Sequence, residues 1–264
     1  MTENHAFAIP VYGQPPHLAA CIESILHQSR RSAAVVLCTS TPSGYLEEIA
    51  EKYQVPLLVH PLRVDIATDW NFALTATGAD LVTIAHQDDL YAERYFETMS
   101  AALQRHPETS IAFSDFEERT PLGPRRANAN VRIKRALCRR AFGRAEALES
   151  PRDKRRLLNL GNPVCCPSVV IHRQRLPDFR FSNALHTDLD WEAWARLAKL
   201  PGKFVYVREP LVFKLVHAGS ETSATISNRL REREDRLMFE QFWPVPVAAA
   251  IAALYRLGYL ANRV

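Results

Sequence analysis

The sequence predicts an α/β fold: a doubly wound, mostly parallel sheet with helices on both faces and a helical extension at the C-terminus. Short apolar runs at residues 7–12, 34–38, 56–60 and 81–85 alternate with segments whose apolar positions recur at helical spacing. That alternation implies βαβ crossovers and parallel pairing. The runs are apolar on successive residues, as strands covered on both faces must be.

Each element follows from its residues. The first run ends at Gly13 and the Pro15-Pro16 pair, and Leu18, Cys21, Ile22 and Ile25 then form the stripe of a first helix, with proline at its start. Residues 34–38 read as a buried strand, residues 39–44 as a Ser/Thr/Pro/Gly turn, and Leu46, Ile49, Ala50 and Tyr53 as a second stripe. A strand at 56–60 and a helix marked by Trp70, Ala73 and Leu74 lead to the run 81–85, apolar enough for the centre of a sheet. Beyond it the pattern predicts a helix over 92–105, strands at 111–115, 167–171 and 203–217, and a helix carrying Trp191, Trp194, Ala195 and Ala198 on one face. A charged helix over 223–242 is stopped by Trp243-Pro244. The expected division is a domain over 1–222, with halves 1–90 and 91–222, and a helical extension over 223–264.

Composition narrows the class. The chain has 264 residues, 47% hydrophobic and 23% charged, with a net charge of +4, which fits an ordinary globular protein and not a nucleic-acid binder. Five cysteines, an odd count without C-x-x-C spacing, point to reduced thiols and a cytoplasmic setting, not to a zinc framework. The N-terminus has no basic region and no long apolar run, so no signal peptide is expected. The apolar stretch 245–255, interrupted by Pro246, is too short to span a bilayer. Residues 125–156 carry twelve Lys/Arg against three acids. With the apolar stretch near the C-terminus they are expected either to face an anionic surface, giving a peripheral contact at the inner membrane face, or to form a solvated face beside a last core helix.

Ligands of such sheets bind beyond the carboxyl ends of the strands. There stands His86-Gln87-Asp88-Asp89, directly after the fourth run. Paired carboxylates in that place suit Mg²⁺ or Mn²⁺ on a diphosphate; alternatively Asp89 caps the next helix. Thr187-Asp-Leu-Asp190 opens the tryptophan helix and reads either as a capping box or as a proton acceptor, Asp190, at a pocket mouth. His217 follows the last strand beside Ser220, Thr222 and Ser223, where it is structural or touches a metal or phosphate. Cys165-Cys166 reads as core, with no partner spaced for a thiol nucleophile.

Taken together, the chain resembles a family 2 glycosyltransferase of the GT-A, Rossmann-like fold. The resemblance rests on Pro10-Val-Tyr12, Asn71-Phe-Ala-Leu74 with Gly78-Ala-Asp80, Ile84-Ala-His-Gln-Asp-Asp-Leu90, Asn162-Pro163, Pro167-Ser168, Leu189-Asp-Trp-Glu-Ala-Trp194, and His217 with Ser220-Glu-Thr-Ser223. It implies inverting transfer of a sugar from a nucleoside-diphosphate sugar to the hydroxyl of a saccharide or lipid-linked saccharide, in cell-surface polysaccharide or glycan synthesis. It places the catalytic base at Asp190, donor contacts at Pro10, Tyr12, Thr39, Asn71 and Asp88, and a Mn²⁺ or Mg²⁺ ion on Asp88, Asp89 and His217. Two departures stand out. His86 replaces the first acid of the Asp-x-Asp motif, and Thr39-Ser40-Thr41 stands where the family often carries a base-reading Asp.

Two other classes compete. A non-catalytic nucleotide-sugar or polyanion binder on the same scaffold is favoured by the missing first Asp. A nucleotidyltransferase would need a Gly-rich basic loop after the first strand, where this chain has Tyr12-Gly-Gln-Pro-Pro-His17.

Overall fold

In a computed structural model, the structure describes residues 4–30, 34–120, 123–124, 129–216 and 230–260. The first half runs β1 (His5–Pro10), α1 (Leu18–Leu26), β2 (Ala34–Thr39), α2 (Gly44–Tyr53), β3 (Leu57–Val59), α3 (Ile66–Ala76), β4 (Leu81–Ile84). Then come β5 (Leu90–Tyr91), α4 (Tyr95–Arg105), β6 (Thr109–Thr120), β7 (Gly123–Pro124), α5 (Ala129–Phe142), β8 (Ala147–Leu148) and α6 (Pro151–Leu158). A 3-10 turn (Cys166–Ser168), β9 (Val169–His172), α7 (Leu189–Leu197), β10 (Lys203–Leu215), α8 (Leu230–Glu240) and α9 (Val245–Leu260) complete the described chain.

The strands form one mixed sheet in the order β3-β2-β1-β4-β9-β6-β10-β5. β3, β2, β1 and β4 are parallel, β9 is antiparallel to both of its neighbours, and β6 and β10 are parallel to each other. The strand expected at 167–171 is therefore the one that reverses direction inside the sheet. β6 extends well past the expected 111–115, and its pairing with β10 shifts register around Pro210, which has no amide to give the ladder.

Alternation along β1 shows why the sheet is covered on both faces. Phe7 and Ile9 point into a core with Leu18, Cys21, Ile22 and Ile25 of α1, Leu46 of α2 and Tyr95 and Met99 of α4. Ala6 and Ala8 point the other way, toward Trp70 and Ala73 of α3 and Trp191 and Trp194 of α7. Local chemistry sets several helix starts: Ser43, Asp65 and Ser150 accept hydrogen bonds from the amides of Leu46, Thr68 and Asp153, and Pro151 occupies the first turn of α6.

The start of α4 differs from expectation. Residues 90–91 form β5 against β10, and α4 begins at Tyr95 after an Arg94 that makes no side-chain cap. Asp89 caps no helix. At the C-terminus, residues 223–229 of the expected charged helix and the boundary at 222 lie outside the described residues, and α8 follows from Leu230. α9 packs as a last helix: Ala248 is buried, and the Tyr255 ring lies 5.4 Å from Phe239 and 6.2 Å from Trp191. Val245, Val247 and Leu254 of the same helix stay exposed. No helix among the described residues is long and apolar enough to cross a membrane.

Trp191 joins these layers. It is fully buried, its indole N–H donates to the Leu158 carbonyl at 3.2 Å, and its ring meets Phe239 edge-on at 5.1 Å. Trp191→Ala is expected to cost about 3–5 kcal/mol, the range for deleting a large buried aromatic, read as a lower midpoint in urea unfolding.

Candidate functional site

The carboxyl ends of β1, β2 and β4 meet at one edge. Pro10, half-buried, ends β1 and pairs with Cys38 of β2. Just beyond, Tyr12 is 58% exposed, its amide donates to Gln87 Oε1 at 3.0 Å, and its hydroxyl accepts from Arg63 at 2.7 Å. The loops after β1 and β4 are thus tied together with an aromatic ring open to solvent. The turn after β2 is internally braced, since Thr39 is fully buried and its hydroxyl accepts from the Thr41 amide at 3.0 Å. At this turn Ser40 donates to Asp69 Oδ2 of α3 at 2.9 Å, leaving Asp69 Oδ1 buried without a hydrogen-bond partner. A carboxylate thus stands by the turn although none is present in the turn's own sequence. Asn71, also expected at the donor, brackets the backbone of Phe181: its amide donates to the Phe181 carbonyl at 2.8 Å and accepts from the Phe181 N–H at 2.7 Å.

Burial sorts the acidic motif after β4. His86 is pressed against Trp70, with ring centroids 5.1 Å apart, and burial lowers its pKa to about 4, so it is neutral at physiological pH. Asp88 is half-buried at the strand end. Asp89 is 1% exposed and turned inward, accepting from the Leu215 amide of β10 at 3.0 Å, and burial followed by the Asp88 charge pushes its pKa up to about 8. So placed, Asp89 braces β10 through Oδ1, while its Oδ2 is buried without a hydrogen-bond partner, 3.8 Å from His86 Nδ1. His217 lies outside the described residues. No group of three or more His, Cys, Asp or Glu is arranged for a metal among the described residues.

Asp190 lies on the second residue of α7, half-buried. The capping box does not form: Thr187 donates its hydroxyl to Glu234 at 2.7 Å. Asp190 Oδ1 instead accepts from the Trp191 amide at 2.7 Å, and Asn162 donates to Oδ2 at 3.1 Å. Asn162 is itself fixed by the Val164 amide at 3.1 Å, so it aims the carboxylate. Burial raises the Asp190 pKa, against Lys134, the Trp191 amide, Arg231 and Lys214. Cys165 and Cys166 are buried beneath this edge, and burial pushes the Cys165 thiol up to about 12, the state of an inert core thiol.

Sequence reasoning passed over the cations of the site. Lys214 neighbours Leu215, whose amide holds Asp89, while Lys134 of α5 lies over the Phe116 ring at 5.4 Å. Both interact electrostatically with Asp190 and Cys165. Arg231 of α8 approaches Asp188 at 3.8 Å. Their one signal in the sequence was membership of basic or strand segments, which does not separate them from surface charges. Lys134, Lys214 and Arg231 therefore act on Asp190 together.

A mostly parallel sheet, with one aimed carboxylate and nearby cations beyond its strand ends, is a scaffold of the GT-A type. The chain belongs to glycosyl transferase family 2, whose model matches residues 6–174. No curated sequence matches it. Among solved structures it is similar to S. aureus TarS residues 1–349 in complex with UDP-GlcNAc, with 14% identity and a TM-score of 0.64 over 98% of this chain and 73% of that one. The UDP complex of the same TarS fragment gives 13% identity and a TM-score of 0.60 over 96% and 70%. At these identities the likeness concerns the fold.

Beside Asp190, the Asp188 carboxyl is hydrogen-bonded to that of Asp235, and burial followed by the Asp235 charge raises its pKa well above the usual value. Arg231 opposes that rise and Asp190 adds to it. The folded state therefore holds a proton that the unfolded chain releases near its usual value of 3.8. Stability from this pair is full below that pH and declines as pH rises toward the folded pKa. Asp235→Asn, which replaces the shared proton by an amide, is expected to flatten this decline and to raise unfolding stability at pH 8 relative to wild type in paired urea titrations at pH 5 and pH 8.

Proposed function

We propose that the chain transfers a sugar from a nucleoside-diphosphate sugar to an acceptor hydroxyl with inversion. The observation that carries the reading is Asp190, aimed by Asn162 and the Trp191 amide beside Lys134, Lys214 and Arg231 in a family 2 chain. In this reading the nucleotide lies over the Tyr12 edge and the diphosphate reaches toward the cations, which offset charge growing on the leaving group. Asp190, raised toward the range useful to a base, takes the acceptor proton while that oxygen attacks the anomeric carbon opposite the diphosphate. One displacement inverts the centre without a covalent nucleophile. A Mn²⁺ or Mg²⁺ ion, when bound, would rest on Asp88 and add to the neutralisation of the diphosphate.

The acceptor would be a saccharide or lipid-linked saccharide of cell-surface polysaccharide or glycan synthesis, met in the cytoplasm. A peripheral contact with an anionic surface would use Arg132, Arg139 and Arg144, exposed around α5. His86 in place of the first acid of the motif favours a second reading, a nucleotide-sugar or polyanion binder that performs no transfer.

A thermal-shift screen of UDP-, GDP- and dTDP-sugars with Mn²⁺ identifies the donor, and release of nucleoside diphosphate from it measures turnover. Asp190→Asn is expected to keep donor affinity and to lose turnover by roughly 10²–10⁴-fold. Wild-type protein that binds the donor without any turnover supports the second reading. Asp88→Asn is expected to remove the Mn²⁺-dependent part of donor affinity, seen by calorimetry with and without EDTA, while leaving the melting temperature near wild type.

A further inference from the structure

Asp190 lies in the first turn of α7, the part of a helix whose amides lack intrahelical partners and which frays when they are left to solvent. Asp188, the residue before the helix, makes no side-chain cap. A carboxylate from α8, far along the chain, instead holds the backbone amides that lead into this turn. Glu234 Oε1 accepts from the His186 amide at 2.9 Å, and Oε2 accepts from the Thr187 amide at 2.7 Å, the Asp188 amide at 3.2 Å and the Thr187 hydroxyl at 2.7 Å. Glu234 is 5% exposed, and these bonds outweigh the effect of burial and hold its carboxyl below the usual range. A negative charge at a helix N-terminus is also favoured by the helix dipole. On the same helix Asp235 is hydrogen-bonded to Asp188, and Arg231 lies 3.8 Å from Asp188. Met238 and Phe239, fully buried, seat α8 in the core.

We propose that Glu234 is a positioning residue for Asp190: its carboxylate clamps residues 186–188 and thereby fixes the first turn of α7, which carries the proton acceptor. The inference rests on the transfer reading for its kinetic consequence but not for the clamp. Glu234 touches neither reacting atom. It acts through the backbone between His186 and Asp188, two to four residues before Asp190, and a small displacement of a catalytic group is costly because a shift of about 1 Å can lose on the order of 10²-fold in rate.

The test compares Glu234→Ala and Glu234→Gln with Met238→Ala, which weakens the seating of α8 without touching the clamp. Two readouts are taken on the full chain: turnover and affinity for the donor found in the screen, and the ¹³C carboxyl resonance of Asp190, assigned by its loss in Asp190→Asn. Glu234→Ala is expected to lower kcat by roughly 10- to 100-fold with donor affinity within about twofold, and to move the pH titration of the Asp190 carboxyl. Glu234→Gln keeps one good acceptor and is expected to fall between wild type and Glu234→Ala in both readouts, and it carries the test if the alanine variant does not fold. Met238→Ala, at a comparable loss of melting temperature, is expected to leave kcat and the Asp190 titration as in wild type. An unmoved Asp190 resonance in both Glu234 variants overturns the clamp, as does a Met238→Ala effect equal to theirs. Wild-type protein that binds no nucleotide sugar overturns the transfer reading, while the resonance arm still decides the clamp.

Discussion

Helices cover β1 and β4 on both faces, and that constraint decides where polar chemistry can reside. Along these strands every side chain from His5 to Ile9 and from Leu81 to Ala85 is buried, so ionisable groups that meet a ligand are pushed to the carboxyl ends. Even there the low-dielectric surroundings act on each group in turn. His86 loses its charge, Asp89 turns inward to satisfy the Leu215 amide, and Asp88 is left as the carboxylate of the edge. Four residues that read as one acidic motif are therefore four different devices: a neutral ring against Trp70, a tie to the Tyr12 loop, a candidate ligand and a strut to β10.

The same logic governs the far side of the site. A carboxylate that is to accept a proton must stay ionisable in a partly dry setting, and the protein arranges this by aiming rather than by exposure. Asn162 and the Trp191 amide each hold one oxygen of Asp190, and Lys134, Lys214 and Arg231 oppose the rise that burial imposes. Tying both oxygens lowers basicity somewhat, while desolvation raises it; the balance falls above the ordinary carboxylate range. The acids of α8 belong to this arrangement. Glu234 stays ionised because it gathers four donors, whereas Asp188 and Asp235 lie in contact and cannot both carry charge cheaply.

The sheet was legible because its signal is local: strands apolar on successive residues and helices with a regular stripe. β9 was readable as a strand from 167–171, yet its antiparallel direction depends on partners about 60 and 90 residues away in the chain, His172 opposite Leu81 and Ile171 opposite Ile111, and no local pattern encodes that. The site divides in the same way. Asp88 and Asp190 stand at element ends and could be found by position. Asp89 next to Asp88 could not be told from it, since the difference lies in which one finds the Leu215 amide. Asn71 and Thr39 were legible as donor contacts by type alone, and the backbone bonds they make, to Phe181 and from Thr41, were not. Glu234 sits among Arg and Glu neighbours in a segment that reads as a solvated helix, and only the packing of α8 against α7 gives it four donors.

The basic stretch 125–156 shows how far composition can mislead about a surface. Arg125 and Arg126 lie outside the described residues. Of the others, Arg135 pairs with Asp115 at 2.5 Å, Arg140 donates to the Arg156 carbonyl and to Asn159, and Arg155 donates to carbonyls of Gln241 and Phe242. Lys154 is fully buried, donating to the Leu200 and Gly202 carbonyls beneath the Phe204 ring. Lys134 turns toward Asp190. Four of the twelve cations, Lys134, Arg135, Arg140 and Lys154, are thus buried or half-buried and meet interior carbonyls or acids, exposed Arg155 also meets carbonyls, and a guanidinium with five donors suits that work. What remains outward, Arg132, Arg139, Arg144, Arg152 and Arg156, is spread over two helices and a turn and is weaker than the bare count implies. Among the described residues of this stretch, attraction to an anionic surface would come from a dispersed set of exposed arginines, screened over a Debye length of about 8 Å at physiological salt.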